Sequence, residues 1–323
     1  MTDPATNDQA LRDGLNRVRA EVGKAVVGQD GAVTGLIIAL LANGHVLLEG
    51  VPGVAKTLLV RTLSRTLRLE TRRVQFTPDL MPGDVTGSLA YDPRTGDFTF
   101  REGPVFTNIL LADEINRTPP KTQSALLEAM EERQVSADGV TRPLPVPFLV
   151  AATQNPIEYE GTYTLPEAQL DRFLMKLVLD VPPRDSEVQV LRRHADGFDP
   201  RDLAAAGVEP VLGASDLAAA RAAVARVGAS DDVLAYLVDL ARATRHSPSI
   251  RLGVSPRATT ALLASAKAWA WLTGYDSVTP DHVQAMLLPV WRHRVQLRPE
   301  AELEGVSVDQ VLRSIVQQVQ VPL

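Results

Sequence analysis

The sequence has no cysteine among its 323 residues and no hydrophobic run long enough to cross a bilayer. Without thiols it can form neither disulfide bridges nor thiolate metal sites, which predicts a reducing compartment. The most apolar stretch, residues 35–42, is too short for a membrane-spanning helix. The first ten residues lack the basic and then apolar order of a secretory signal. We therefore expect a cytoplasmic protein with no membrane insertion.

Positive charge is scarce relative to negative charge: 33 lysines and arginines stand against 39 aspartates and glutamates, a net charge of -6. A nucleic-acid groove normally needs a basic face, so we expect no nucleic-acid partner. The length and the 45% of apolar residues predict two globular domains. Five scattered histidines show no metal-ligand spacing, and we interpret them as structural: His45, His194, His246, His282 and His293.

The first part of the chain alternates short apolar runs with amphipathic helical stretches, which is typical of α/β proteins with a parallel sheet. Helices are predicted at residues 56–68 and 120–133; Thr118 is the expected cap of the second, with Pro119 and Pro120 in its first turn. Two hairpins are predicted, at residues 90–100 around 93–96 and at residues 135–144 around 138–139. The five predicted strands are residues 45–49, 73–76, 108–112, 148–153 and 176–180.

The second part of the chain has a different character. Alanine and leucine increase after residue 184, strand signals disappear, and helix caps follow one another. We predict an N-terminal helix and an α/β core with a five-stranded parallel sheet in residues 1–184. Residues 185–323 are predicted to be a linker and an all-α lid domain. Its helices are expected to begin near Ser215, Asp231, Ser255, Thr279 and Ser307.

A glycine-containing loop joins the first predicted strand to a helix. A strand, then this loop, then Lys-Thr at a helix start is the context of a phosphate-binding P-loop, with the lysine on the β- and γ-phosphates and the threonine on Mg²⁺. The strict pattern has glycine before the lysine; Ala55 stands there, which a negative φ would allow. The alternative is a tightly packed turn that binds nothing. The predicted ATP-binding residues of the loop are Gly50, Val51, Pro52, Gly53, Val54, Ala55, Lys56, Thr57 and Leu58.

Two further strands end in polar side chains that suit phosphate hydrolysis. Asp113 and Glu114 close the third predicted strand, where Asp113 would hold Mg²⁺ and Glu114 would orient the attacking water. The alternative is a pair of acids at a helix N-terminus. Asn155 follows the fourth strand, where it could reach both the γ-phosphate and the water. Glu114 and Asn155 are therefore predicted catalytic residues.

Four long motifs together resemble the MoxR family of AAA+ ATPases. They are residues 50–57 (GVPGVAKT), 76–84 (FTPDLMPGD), 111–117 (LADEINR) and 165–173 (LPEAQLDRF). The similarity extends from residues 27–29 (VGQ) to residues 255–258 (SPRA). Alanine before the P-loop lysine is a habit of this family.

The resemblance implies a homo-hexameric ring that binds ATP between subunits. Val27, Gly28 and Gln29 would flank the adenine, and Asn155 would be the first nucleotide sensor. Arg172 would be the catalytic finger that reaches a neighbour's γ-phosphate, with Arg117 as the alternative finger. Arg257 would be a second sensor on the lid, over the nucleotide of its own chain.

Arg172 and Arg257 could instead form ordinary ion pairs within their own chain. Arg172 could pair with Asp171 or Glu167 on its own surface, and Arg257 could pair with an acid of the core.

The resemblance also implies a function: an ATP-hydrolysing, chaperone-like enzyme that remodels or matures a protein client, with a von Willebrand factor A domain protein as partner. One alternative is a chelatase-like motor subunit for metal insertion. Another is a DNA-translocating helicase or clamp-loader-like ATPase, although the first hairpin is not basic, as such a pore would require. A catalytically silent scaffold is disfavoured, because all five residues expected of an active site are present: Lys56, Asp113, Glu114, Asn155 and Arg172.

Overall fold

The computed structural model describes residues 4–94, 96–155 and 162–322, so Thr95, in the predicted turn 93–96, lies outside the described residues. The described helices and strands alternate in the first part of the chain, and helices dominate the second. The strands are β1 (Val46–Glu49), β2 (Thr71–Gln75), β3 (Gly87–Asp92), β4 (Asp97–Glu102), β5 (Ile109–Asp113), β6 (Gln134–Ala137), β7 (Val140–Pro143), β8 (Leu149–Gln154), β9 (Met175–Val178), β10 (Ile250–Leu252) and β11 (Gln296–Leu297).

The helices include one long helix at the N-terminal side and a series after residue 183. They are α1 (Pro4–Ala25), α2 (Asp30–Leu41), α3 (Lys56–Thr66), α4 (Pro82–Thr86), α5 (Pro120–Glu132), α6 (Glu167–Leu170), α7 (Arg184–Ala195), α8 (Ala214–Arg226), α9 (Asp231–His246), α10 (Pro256–Leu272), α11 (Pro280–Trp291), α12 (Pro299–Leu303) and α13 (Val308–Gln318), with a 3-10 turn at Ile115–Arg117. None of the described helices is both long enough and apolar enough to cross a membrane.

Five strands form one parallel sheet in the order β2-β5-β8-β1-β9. All five predicted strands are therefore confirmed, each within two residues at either end. Successive side chains of a strand face opposite sides, and both sides of this sheet are covered. Val46 and Leu48 pack with α1, α2, α3 and the later helices, whereas Leu47 packs with α5 on the other side. The near-continuous apolar character of these strands follows from this double burial.

The two predicted hairpins are present. β3 pairs with β4 and β6 pairs with β7, both antiparallel; the first hairpin precedes α5 in the chain, the second follows it, and neither joins the main sheet. The α5 helix begins at Pro120, as predicted, but the preceding residue is Pro119, and Thr118 does not cap the helix. Here the fixed φ of Pro119 and Pro120 sets the start of the helix, and no side-chain hydrogen bond is used.

The later helices begin where their caps predict. Ser230, Ser255 and Ser307 each accept a hydrogen bond from the backbone N–H three residues ahead, at the starts of α9, α10 and α13. The α8 helix begins at Ala214, one residue before the prediction. A short antiparallel pair, β10 with β11, lies among these helices and was not predicted, because strands of three and two residues leave no clear periodicity.

His45, directly before β1, connects three elements of the core. Its Nε2 atom donates to the carbonyl oxygen of Met130 at 3.1 Å, and its Nδ1 atom accepts from the N–H of Val150 at 3.0 Å. Burial lowers the pKa of His45 from 6.5 to about 4. The ring is therefore neutral in the folded protein at pH 5–7, as both hydrogen bonds require.

We expect His45 to make the protein less stable as the pH falls from 6.5 towards 4. Below pH 6.5 the unfolded chain increasingly binds a proton at this histidine and the folded chain does not, so the free energy of unfolding falls by up to about 1.4 kcal/mol per pH unit. Urea titrations of the His45→Gln variant between pH 7 and 5 should show a pH dependence that is smaller by this amount. The same change at His246, which is exposed on α9, is the control. Equal slopes for wild type and His45→Gln would contradict the assignment.

Candidate functional site

The loop between β1 and α3 lies at the edge of the sheet where the parallel strands end. A Cβ atom at Gly50 would lie 2.5 Å from the carbonyl oxygen of Leu179, so a larger residue requires the backbone to shift. Gly53 has a φ of +90°, a conformation that favours glycine. The Nζ atom of Lys56 donates to the carbonyl oxygens of Gly50 at 2.6 Å and Gln154 at 3.4 Å. The loop is thus a tight turn with a cation held across it.

The remaining residues of the predicted loop divide between packing and exposure. Val54 is buried, and Val51 and Leu58 are half-buried against the core, so they shape the loop. Pro52 and Gly53 are exposed at the tip, where their backbone faces solvent.

Ala55 corrects one expectation. Its φ is +63°, in the left-handed region, whereas we expected a negative value. A side chain in this region costs roughly 1–2 kcal/mol relative to an ordinary helical conformation. The loop therefore keeps the backbone that glycine would adopt and carries strain at the residue before Lys56.

Asp113, at the end of β5, is buried and accepts hydrogen bonds from three elements. Thr57 Oγ1 lies 3.4 Å from Asp113 Oδ2, and Thr153 Oγ1 donates to Oδ1 at 2.7 Å. Arg73, on β2, contacts Oδ2 through Nε at 2.9 Å and Nη2 at 2.8 Å. The adjacent hydroxyl of Thr57 and carboxylate of Asp113 are the hard oxygen donors that Mg²⁺ prefers, so these residues fit that ion.

Glu114 projects from the same edge with a left-handed backbone, φ 57°. Its backbone N–H donates to Thr153 Oγ1 at 2.9 Å. Its Oε2 atom accepts from Gln75 Nε2 at 2.7 Å and pairs with Arg117 Nη1 at 3.1 Å. Only a 3-10 turn, Ile115–Arg117, follows Glu114, and the next α-helix begins at Pro120. The two acids therefore do not lie at the N-terminus of an α-helix.

Asn155 directly follows β8, the strand that lies between β5 and β1 in the sheet. It is buried, with 7% of its surface exposed. Because its neighbouring strands carry Asp113 and the Gly50 loop, the fold brings Asn155 to the edge that holds both. That Asn155 contacts the γ-phosphate and the water stays a prediction.

A cavity of about 480 Å³ adjoins the loop. Gln29 and Val27 form part of one wall, and Gln29 Nε2 also donates to the carbonyl oxygen of Asp180 at 3.0 Å. Gly28, with φ +74°, packs against Pro182 next to this wall. The α7 helix closes the other side. The volume of the cavity is within the range of small-ligand sites, and Val27 and Gln29 line it together with the loop residues 53–55.

Arg172 and Arg257 lie together at the opposite edge of the sheet. Arg172 Nε contacts Glu131 Oε2 at 3.0 Å, and Arg257 Nη1 donates to Glu131 Oε1 at 3.0 Å. Glu131 is in the last turn of α5, next to Met130, whose carbonyl accepts from His45. The five residue steps from His45 to Gly50 along β1 separate this edge from the loop by about 16 Å.

The position of Arg257 contradicts the prediction that it lies over the nucleotide of its own chain. The α10 helix packs along α11 and α2, which places its first turn beside the last turn of α5. The alternative, an ion pair with an acid of the core, is what the structure shows for Arg257. Arg172 pairs with Glu131, not with the expected alternatives Asp171 or Glu167. Arg117 lies at the loop edge instead, on Glu114 of its own chain.

Several residues of the site escaped the sequence analysis. Arg73 and Gln75 alternate with apolar residues on β2, a period of two that puts both on one face, but nothing in the pattern identifies Asp113 and Glu114 as their partners. The α7 wall was also missed, because its helix has no buried residue and thus a weak apolar stripe. The residues of this wall are Glu187, Val190, Leu191 and His194.

Two family models match the chain. One, the ATPase family associated with various cellular activities (AAA), covers residues 45–175, from the start of β1 to the start of β9. The other, an AAA lid domain, covers residues 242–315. The first includes the loop and both acids, and the second begins within α9.

Individual proteins match nearly the whole chain. The Bacillus subtilis protein YeaC is 46% identical over 309 residues, which are 96% of this chain and 95% of YeaC. Chaperone MoxR1 of Mycobacterium tuberculosis is 42% identical over 95% of this chain and 82% of its own. A crystal structure from Cytophaga hutchinsonii, 41% identical, has a TM-score of 0.90 and covers 98% of each chain. The similarity thus includes both the α/β part and the helical part.

We expect the Ala55→Gly substitution to stabilise the protein. Glycine removes the cost of a left-handed side chain, roughly 1–2 kcal/mol, and loses part of that gain to the greater freedom of the unfolded chain. A net increase of about 0.5–1 kcal/mol in the free energy of unfolding should be measurable by urea denaturation. Ala218→Gly, at an exposed position of α8, is the control and should destabilise. A destabilised Ala55→Gly variant would show that φ at residue 55 is negative in solution.

Proposed function

We propose that this chain, which belongs to the MoxR family of AAA+ ATPases, hydrolyses ATP to remodel or mature a protein partner. One observation carries the proposal: three separate segments of the chain meet at one edge of the sheet, and they bring together Lys56, Thr57, Asp113, Glu114 and Asn155. A relative with 42% identity is named a chaperone, which supports the remodelling role.

Lys56 would bind the β- and γ-phosphates, since its ammonium group lies across the loop. The backbone N–H groups of the loop and the start of α3 add a positive potential for the phosphates. Thr57 and Asp113 would hold Mg²⁺, which when bound neutralises charge on the phosphate oxygens. The Nε and Nη2 atoms of Arg73 occupy the same Asp113 oxygen that faces Thr57. Binding of the ion would therefore require Arg73 to move or to share that oxygen.

Glu114 would orient the attacking water and accept its proton. Gln75 and Arg117 both contact Oε2 of Glu114. These two contacts do not occupy the other carboxylate oxygen, Oε1. Asn155, on the neighbouring strand, would contact the γ-phosphate and the same water. The adenine would occupy the cavity between residues 27–29 and α7.

The remote position of Arg172 and Arg257 supports a role in another subunit. An arginine about 16 Å from the loop of its own chain does not reach the phosphates there. In a ring, Arg172 and Arg257 would both serve the nucleotide of a neighbouring subunit. There an arginine stabilises the charge that develops during phosphoryl transfer. We propose a homo-oligomeric ring on this basis, with the six subunits that the family resemblance implies. Arg172 is the preferred finger over Arg117, because Arg117 is bound to Glu114 at its own loop edge.

The partner of the enzyme is inferred from the family resemblance. A protein with a von Willebrand factor A domain and a protein client are the proposed partners, and a chelatase-like role in metal insertion is the alternative within this class. A DNA-translocating role is disfavoured by the net charge of -6 and by the β3–β4 hairpin, where Arg94 pairs with Asp92.

Substitutions at Lys56 and Glu114 should separate ATP binding from ATP hydrolysis. Lys56→Ala removes the phosphate-binding charge and should weaken binding of a fluorescent ATP analogue. Glu114→Gln should retain binding and lower kcat at least ~100-fold, because it removes the group that accepts the proton of the water. Glu102→Gln, an exposed acid on β4, is the control for loss of charge. A wild-type kcat for Glu114→Gln would overturn the catalytic assignment.

Mixed rings should show whether the two arginines act between subunits. Arg172→Ala should bind ATP but lose on the order of 10³ in rate. Mixing it with Lys56→Ala should restore part of the activity. A Lys56→Ala subunit keeps its Arg172 and supplies it to the intact phosphate loop of an Arg172→Ala neighbour. Arg257→Ala should behave in the same way. Steady-state ATPase assays at increasing protein concentration measure each mixture.

The mixture of Arg172→Ala with Arg257→Ala is the decisive control. If each subunit supplies both arginines to the same neighbour, every phosphate loop is next to a subunit that lacks either Arg172 or Arg257. The ATPase activity of the mixture then stays low. If Arg257 instead acted within its own chain, this mixture would regain activity. Co-purification of two differently tagged variants confirms that mixed rings have formed.

A further inference from the structure

Glu131 forms the only link that the described residues show between Arg172 and Arg257. Its two carboxylate oxygens are divided between them: Oε2 contacts Nε of Arg172 and Oε1 contacts Nη1 of Arg257, each at 3.0 Å. Arg172 belongs to the connection before β9, Arg257 to the first turn of α10, and Glu131 to the last turn of α5. The carboxylate of Glu131 therefore joins Arg172, which directly precedes a strand of the sheet, to Arg257 of the helical part.

The backbone under this pair is fixed from the helical part as well. Arg294, after α11, has only 4% of its side chain exposed and contacts Asp171 Oδ1 at 2.6 Å. It also donates to the carbonyl oxygens of Leu174 at 3.0 Å and Phe173 at 2.7 Å. Asp171 is thus occupied by Arg294, and it lies 4.0 Å from Arg257 Nε. Glu131 is therefore the acid nearest to Arg257, and it is also the acid that pairs with Arg172.

The bonds to Glu131 leave part of each guanidinium for another anion. Arg172 uses Nε there, so this contact does not occupy its two Nη atoms, and the Arg257 contact does not occupy Nη2. The side chains are 31% and 52% exposed and border a cavity of about 420 Å³ that opens to solvent. Two guanidinium groups that point into one open cavity repel each other unless an anion lies between them. Glu131 supplies that anion.

We propose that Glu131 is a positioning residue that holds Arg172 and Arg257 as one pair, preorganised for the phosphates of a neighbouring subunit's ATP. The proposal rests on the proposed function, in which both arginines act on a neighbour. An exposed ion pair contributes little to folding, so a role in stability alone gives Glu131 no reason to contact both. Because the carboxylate joins sheet and helical part, both arginines move together when the two parts shift.

Glu131→Gln tests the proposal, since glutamine keeps the shape of the side chain and removes the charge that both arginines bind. We expect ATP binding, measured with a fluorescent analogue, to stay at the wild-type level and kcat to fall roughly tenfold to a hundredfold, the effect of a misplaced catalytic group. Mixing with Lys56→Ala should restore activity, because the defect lies on the face that serves the neighbour. Glu132→Gln is the matched control: Glu132 is exposed, next in sequence, and pairs with neither arginine among the described ion pairs.

A mutant cycle shows whether Glu131 acts through the arginines. In the Arg172→Ala, Arg257→Ala background, Glu131→Gln should lower kcat no further, whereas a merely structural role predicts the same fold-loss in both backgrounds. Glu131→Asp keeps the charge on a side chain one methylene shorter and should give an intermediate kcat, with an unchanged melting temperature.

The outcomes separate the two levels of the argument. A kcat for Glu131→Gln within twofold of wild type, alongside an inactive Arg172→Ala, overturns the positioning role and leaves the intersubunit arginines intact. A wild-type rate for Glu131→Asp also overturns it, because the charge would then suffice without the geometry. A fully active Arg172→Ala removes the intersubunit role of Arg172, on which the positioning role rests, and leaves the hydrolytic site itself untouched.

Discussion

The candidate site exists because five strands of the sheet are parallel. In a parallel sheet every strand ends at the same edge, so the residues that follow β1, β5 and β8 meet there although about a hundred positions separate the first from the last. The burial of the central strands on both faces fixes their register, because their apolar residues alternate between two covered faces. A strand shifted by one residue would place its apolar side chains on the wrong face and its terminal polar group out of reach.

The same edge also carries backbone strain. Ala55, directly before Lys56, and Glu114, directly after Asp113, both have left-handed φ values although neither is glycine. Such residues persist only where the surroundings hold them, and they concentrate at functional sites. Here the surroundings are the hydrogen bonds of Lys56 to backbone carbonyls and of Thr153 to the chain at 113–114. The strain is thus local to the residues that present the lysine and the water-orienting acid.

The opposite edge of the sheet is organised by charge. Arg172, Arg257 and Arg294 surround Glu131 and Asp171, and each acid has an arginine from the helical part as a partner. Burial lowers the pKa of Arg294, and its bond to Asp171 opposes that shift. Ion pairs therefore connect the helical part to Glu131 and to Asp171, the residue next to Arg172. This makes the position of the helices and the position of that arginine interdependent.

The order of strands and helices, the phosphate loop and the two acids were all readable from the sequence, because each depends on local periodicity, caps and spacing of neighbours in the chain. The left-handed φ of Ala55 was not readable, since an alanine before a lysine has no local signal for it. The partners of Arg73, Gln75 and Glu131 were also beyond the sequence, because each contact joins elements far apart in the chain. Which edge of the sheet receives Arg257 depended on how α10 packs along α2 and α11, a matter of side-chain fit between helices that only the tertiary structure decides.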